Sequence, residues 1–242
     1  KSHLQNAVQL MLEGYKIALD TGNSYYLGFN AKDICQYSYF LGRELPRLEE
    51  DMQAYNLVLE NFQQTTTLNY CRIYHQAVLN LLGKAENACV LTGKALNEEE
   101  LLPQLIAANE FTGLHYFYVH KLILCYLFGD LSLAIATATQ ARQYLGAGTG
   151  YATMSVCQCY DSLTALAAYP TATPFEQAEL LQRVTENQQK MQTWASHAPM
   201  NYLHKFELVA AERCRVLGQT AVALDHYDRA IAAAKANEYT QE

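Results

Sequence analysis

Residues 201–242 read NYLHKFELVAAERCRVLGQTAVALDHYDRAIAAAKANEYTQE. An apolar-periodic segment runs to Leu217 and stops at Gly218; a second, with Val222, Ala223, Ala230 and Ile231 on one stripe, ends near Asn237. Glycine takes the left-handed position after a helix without strain, so this stretch predicts helix, stop, helix. The same punctuation closes earlier segments at Leu41-Gly42, Leu82-Gly83 and Phe128-Gly129. These glycines and Gly218 stand 41, 46 and 89 residues apart, the last gap close to two units, with Tyr169-Pro170 as the intervening stop. A period of this length predicts an array of helical hairpins.

Working outward gives helices at 2–20, 25–41, 46–61, 65–82, 110–128, 131–145, 151–169, 174–196, 199–217 and 220–237. Thr173-Pro174-Phe175-Glu176 carries a capping Thr, Pro at the first helical position and Glu three residues on. Asp130 follows Gly129 and can cap the helix after it. Helix 110–128 is apolar nearly all round, so it should be buried between neighbours. Residues 84–108 fit worst: Asn97-Glu98-Glu99-Glu100 resembles a capping box, but Pro103 falls inside any helix begun at Glu98, so a short helix with irregular chain is expected.

Composition narrows the function classes. The chain has 242 residues, 17 Lys and Arg against 24 Asp and Glu, and a net charge of −7. Binding nucleic acid requires clustered cations that displace counterions, which argues against that partner. The longest apolar run, 122–128, is far short of the ~20 residues of a membrane span. Seven cysteines, an odd number in a chain this long, read as free thiols in a reducing, cytoplasmic setting.

No catalytic, cofactor or metal constellation emerges. Gly146-Ala147-Gly148-Thr149-Gly150 follows a helix instead of a strand and reads as a linker rather than a phosphate cradle. Gly93-Lys94-Ala95 lacks both the hydroxyl residue and the earlier glycine of a nucleotide loop. Cys157 and Cys159, two apart, fall on roughly opposite helix faces, as do His115 and His120. Asp225 and Asp228 share a face but read as solvated surface. None of the seven histidines is followed by an acidic residue.

Residues 109–130 (NEFTGLHYFYVHKLILCYLFGD), 160–170 (YDSLTALAAYP) and 201–242 carry a family resemblance. They resemble the helical-repeat region of large bacterial, typically cyanobacterial, signalling proteins. Those chains combine a serine/threonine kinase domain, a STAND-type ATPase, this repeat region, a GAF domain and a histidine kinase. Gly218, Ala223, Tyr227, Ala230 and Ile231 also follow the tetratricopeptide pattern. The resemblance implies an all-α fold, a right-handed superhelical stack of tetratricopeptide-like hairpins (an α-solenoid). It transfers no catalytic residue.

The expectation is therefore one helical-repeat domain over 1–242, cut from a larger chain, with hairpins 25–61, 65–108, 110–145, 151–196 and 199–237 after helix 2–20. Its function is a non-catalytic interaction or sensor module binding a polypeptide in cis or trans; the alternative is a small-ligand receptor domain of a STAND-type regulator. Helix 220–237 is also expected to self-associate or fray, because repeat arrays normally end in a polar cap. Tyrosines concentrate on the first helix of each hairpin, the side that lines the concave face in tetratricopeptide stacks. Tyr is suited to recognition because it joins a rigid apolar surface to a polar tip. Tyr25, Tyr70, Tyr74, Tyr116 and Tyr202, with His115 and His204, are the candidate concave-surface binding residues.

Overall fold

The computed structural model describes residues 3–239 and 241, and these hold eleven α-helices, two short 3₁₀ segments and no strand. The chain divides into two compact units, Ser2–Leu124 and Cys125–Glu242. The division falls inside a helix, where punctuation gives no signal.

The first unit contains α1 (Leu4–Asp20), α2 (Ser24–Phe40), α3 (Leu45–Asn61), α4 (Thr65–Leu81), α5 (Glu98–Ala107) and most of α6 (Phe111–Leu127). Helix α1 packs on α2, α3 on α4, and α2 directly on α4. The expected start of the first helix at Ser2 lies outside the described residues. Helix α5 answers the doubtful segment: it continues through Pro103, started by Asn97, whose side chain accepts from the Glu99 amide at 3.1 Å. Before it, residues 84–97 are irregular except for an isolated bridge between Thr92 and Asn97. Gln76 on α4 organises this loop by accepting from the Ala95 and Leu96 amides at 3.0 and 3.3 Å.

The second unit contains α7 (Leu131–Gln143), α8 (Ala152–Ala168), α9 (Pro174–His197), α10 (Pro199–Val216) and α11 (Thr220–Ala236). Each packs on its successor from α7·α8 to α10·α11, apart from the α8·α10 contact that links alternate helices. Leu163, Leu166, Val184, Met191 and Val209 form its core, flanked by Trp194, Tyr202 and Phe206. The glycine-rich stretch after α7 is a 3₁₀ turn, Leu145–Gly148, leading into α8.

The stops are built as the sequence implies, and more regularly. Gly42 (φ +65°) donates to Tyr39 O and Arg43 to Ser38 O, the paired bonds that satisfy the last carbonyls of a helix. The same pair recurs at Gly83, Gly129 and Gly218, and also at Gly22, Gln63, Asn109 and Glu238. Asp130 caps α7 through the Leu133 amide at 3.0 Å, and Thr173 and Glu176 form a reciprocal capping box on α9. Thr173→Ala should cost about 1 kcal/mol, read as a lower unfolding midpoint and faster amide exchange in the first turn of α9.

Gly28 sets the close approach of α2 to α4. A Cβ there would lie 2.5 Å from Thr67 Oγ1. Gly28→Ala should destabilise the first unit by about 1–3 kcal/mol, and adding Thr67→Ala should recover part of the loss in a double-mutant cycle. Additive losses would contradict this packing.

Candidate functional site

The expected tyrosine cluster dissolves on inspection of burial. Tyr25 is exposed (62%), edge-on to Tyr26 and packed against Phe29. Tyr70 is buried and donates to Glu110 Oε1 at 2.7 Å. Tyr74 and Tyr116 are wholly buried, their ring centroids 5.7 Å apart. Tyr74 also lies 4.3 Å from His120, with Tyr39 and Phe40 against the same imidazole. Because α6 is apolar nearly all round and α4 is buried over most of its length, these side chains fill the interior of the first unit instead of lining a groove.

His115 and His120 belong to that interior. Burial pushes both imidazoles down to about 4, with His115 adding repulsion at His120. His120 Nδ1 lies 2.8 Å from Tyr116 O; a carbonyl only accepts, so this nitrogen carries the proton. Lys32, also buried, pairs with Asp33 and reaches Tyr116 Oη at 3.5 Å. Burial raises Tyr74 well above the ordinary phenol range.

Tyr202 and His204 lie in the second unit. Tyr202 is half-buried beside Trp194. His204 is buried; its Nε2 accepts from Lys205 Nζ at 2.9 Å, and its ring stacks on Tyr239 at 4.4 Å. Tyr239, buried beyond α11, donates to Asn201 Oδ1 at 3.2 Å. The concave-surface assignment is therefore corrected for Tyr70, Tyr74, Tyr116, His115 and His204, all of them interior.

Six of the seven cysteines are buried. A hydrogen bond with Cys71, then burial, holds the Cys35 thiol well above its usual range, and burial does the same to Cys157. Such thiols are poor nucleophiles. Among the described residues no group of three or more His, Cys, Asp or Glu side chains is placed to hold a metal ion, and no helix is long and apolar enough to cross a membrane.

Two surface pockets bear on a binding role. One, of about 320 Å³, lies between α4, the 93–97 loop and α5. Its cations are already engaged: Arg72 with Glu60, and Lys94 with Glu49 at 3.2 Å and Gln53 at 2.8 Å. Glu49 also meets Lys84 and His75; burial pushes its carboxyl up, but these donors prevail and hold it below the ordinary value.

The other is a groove of about 430 Å³ on the second unit. Helix α9 contributes Thr185, Gln188, Gln189 and Gln192, spaced to share one face. Helix α10 contributes Phe206, Ala210 and Arg213 at the same helical spacing, and Gln219 and His226 close the far side. Gln188 is anchored to Phe206 O at 2.9 Å, tying the two walls together. Glu207, buried under α11, accepts from Arg229 Nε at 3.1 Å and draws in His226 Nδ1 at 2.6 Å. Four glutamine amides thus surround a partly apolar floor. No family model, curated protein or solved structure matches this chain. The groove, not any likeness, is therefore what bears on function. Its sequence signal was the amide stripe Gln188, Gln189 and Gln192, which resembles an ordinary solvated helix face.

Proposed function

We propose that this chain is a non-catalytic interaction module that binds an extended polypeptide, in the setting of a multidomain signal-transduction ATPase and kinase. In this reading its hairpins continue as a right-handed, tetratricopeptide-like superhelical stack. Support for the stack comes from the regular stops and from the alternate-helix contacts α2·α4 and α8·α10. The binding reading is carried by the amide-lined groove on α9, α10 and α11. A glutamine side chain offers both a donor and an acceptor, as each peptide unit does, so it matches an extended backbone whatever its sequence.

The second reading, a small-ligand receptor, draws on the groove's volume, which lies within the ~300–1,000 Å³ range of small-molecule sites. Selection from a displayed library of random peptides separates the two. The peptide reading expects enriched sequences whose binding is weakened by Gln189→Ala with Gln192→Ala. Failure to enrich any peptide, alongside a thermal shift with a sugar or nucleotide collection, would favour the receptor.

A further inference from the structure

Arg213 stands out in the groove. Its Nε–H is shielded from solvent and meets no acceptor, and its guanidinium makes no ion pair among the described residues. A buried, unanswered donor is costly, the more so on a charged group. The carboxylates closest to it in sequence are occupied: Glu212 by Arg215 at 2.7 Å and by Tyr227, and Glu207 by His226 and Arg229.

The groove's lining is exceptional for this chain. Acidic side chains outnumber Lys and Arg 24 to 17 overall, yet neither Asp nor Glu lines the groove, while Arg213 does. The one formal charge on its lining is therefore opposite in sign to the net charge of the chain. A cationic recess in an acidic protein focuses anions, and the surrounding surface repels a ligand that is acidic throughout.

Resting on the peptide reading above, we infer that the groove selects an extended segment carrying one Asp or Glu side chain, which Arg213 receives, within an otherwise neutral stretch. The guanidinium fork matches a carboxylate with two parallel hydrogen bonds, which a neutral amide or an isolated hydroxyl cannot reproduce. Gln188, Gln189, Gln192 and Gln219 then hold the flanking backbone. An acidic side chain fixes the register of the peptide, and the amides supply sequence-tolerant affinity.

The test is a positional-scanning library of decapeptides, acetylated and amidated so that side chains supply the only carboxylates. Wild-type protein should enrich Asp or Glu at one position, and Arg213→Gln should abolish that enrichment. The best acidic decapeptide, followed by fluorescence anisotropy, should bind Arg213→Gln about ten-fold or more weakly. Lys190→Gln, an exposed change on α9 outside the groove, should leave binding unchanged. Should Arg213→Gln not fold, wild-type protein alone decides: affinity for the acidic peptide must fall with added salt more steeply than for its Glu→Gln counterpart. Equal enrichment of neutral peptides, with no salt dependence, overturns the acidic preference and leaves the peptide groove standing. If no peptide is enriched at all, both fall.

Discussion

Lowering the pH from 7 to 4 should remove most of the stability of the first unit. His115 and His120 are neutral when folded because burial holds them near 4, whereas the unfolded chain protonates them at about 6.5. Between these values the unfolded state binds more protons, so stability is complete above 6.5 and declines until the folded groups themselves titrate. A gap of 2.5 pH units corresponds to about 3 kcal/mol for each histidine. Two such terms rival the ~5–15 kcal/mol of a whole domain.

Two other groups act in the same direction. His75 is held below its usual range, chiefly by burial, and the depressed Glu49 carboxyl loses its contribution as the pH falls through its folded value. Urea unfolding at pH 7, 5.5 and 4 would show the decline. His115→Leu with His120→Phe should lower stability at pH 7 but flatten the profile between 6.5 and 4. An unchanged slope in that variant would mean that other groups control the acid response.

The second large effect is expected at Asp161, buried on α8 in the other unit. Its carboxylate accepts from Arg142 Nη1 at 2.6 Å and Asn187 Nδ2 at 2.9 Å, with Arg183 Nη1 at 3.7 Å. It therefore ties α8 to α7 and α9 at once. Asp161→Ala leaves two arginines and a buried amide to be accommodated. Both arginines keep about a third of their surface exposed, so they rehydrate in part, and the loss should fall near the lower end of the range for broken buried pairs, about 3 kcal/mol. Arg142→Ala alone should cost less, because Arg183 and Asn187 still answer the carboxylate. A loss below about 1 kcal/mol for Asp161→Ala would show that the network is incidental.

These networks also mark where the sequence was legible. Helix stops at Gly42, Gly83, Gly129 and Gly218 could be read because glycine alone enters the left-handed region without strain. Gln63, Asn109 and Glu238 make the same turns with φ of +54°, +51° and +60°. Gln63 and Glu238 give no such signal and Asn109 only a weaker one, so the finer regularity of the stops was hidden. Pro103 made α5 look doubtful, yet a ten-residue helix tolerates the single amide it forfeits. The capping residues Asp130 and Thr173 needed no tertiary information, since a cap is a local contact.

The site was far less legible. A tyrosine on a helix reports an apolar body and a polar tip, and both a core and a groove can use it. Tyr74 and Tyr116 proved to be core because neighbours on α2, α4 and α6 enclose them, a tertiary fact that the pattern of either helix alone does not carry. The groove residues erred in the other direction. Gln188, Gln189 and Gln192 look like a wet surface until α10 and α11 are placed opposite them. Arg213 and His226 are thirteen positions apart, on different helices, and only the turn at Gly218 brings them to the same recess.

Hydrogen exchange with and without a library-selected peptide tests the central claim most directly. Peptide bound in the amide-lined groove should slow exchange in the 185–192 and 206–219 segments, and Arg213→Gln should remove that protection at the same peptide concentration. Protection confined to the first unit, or unaltered exchange under saturating peptide, would contradict the account.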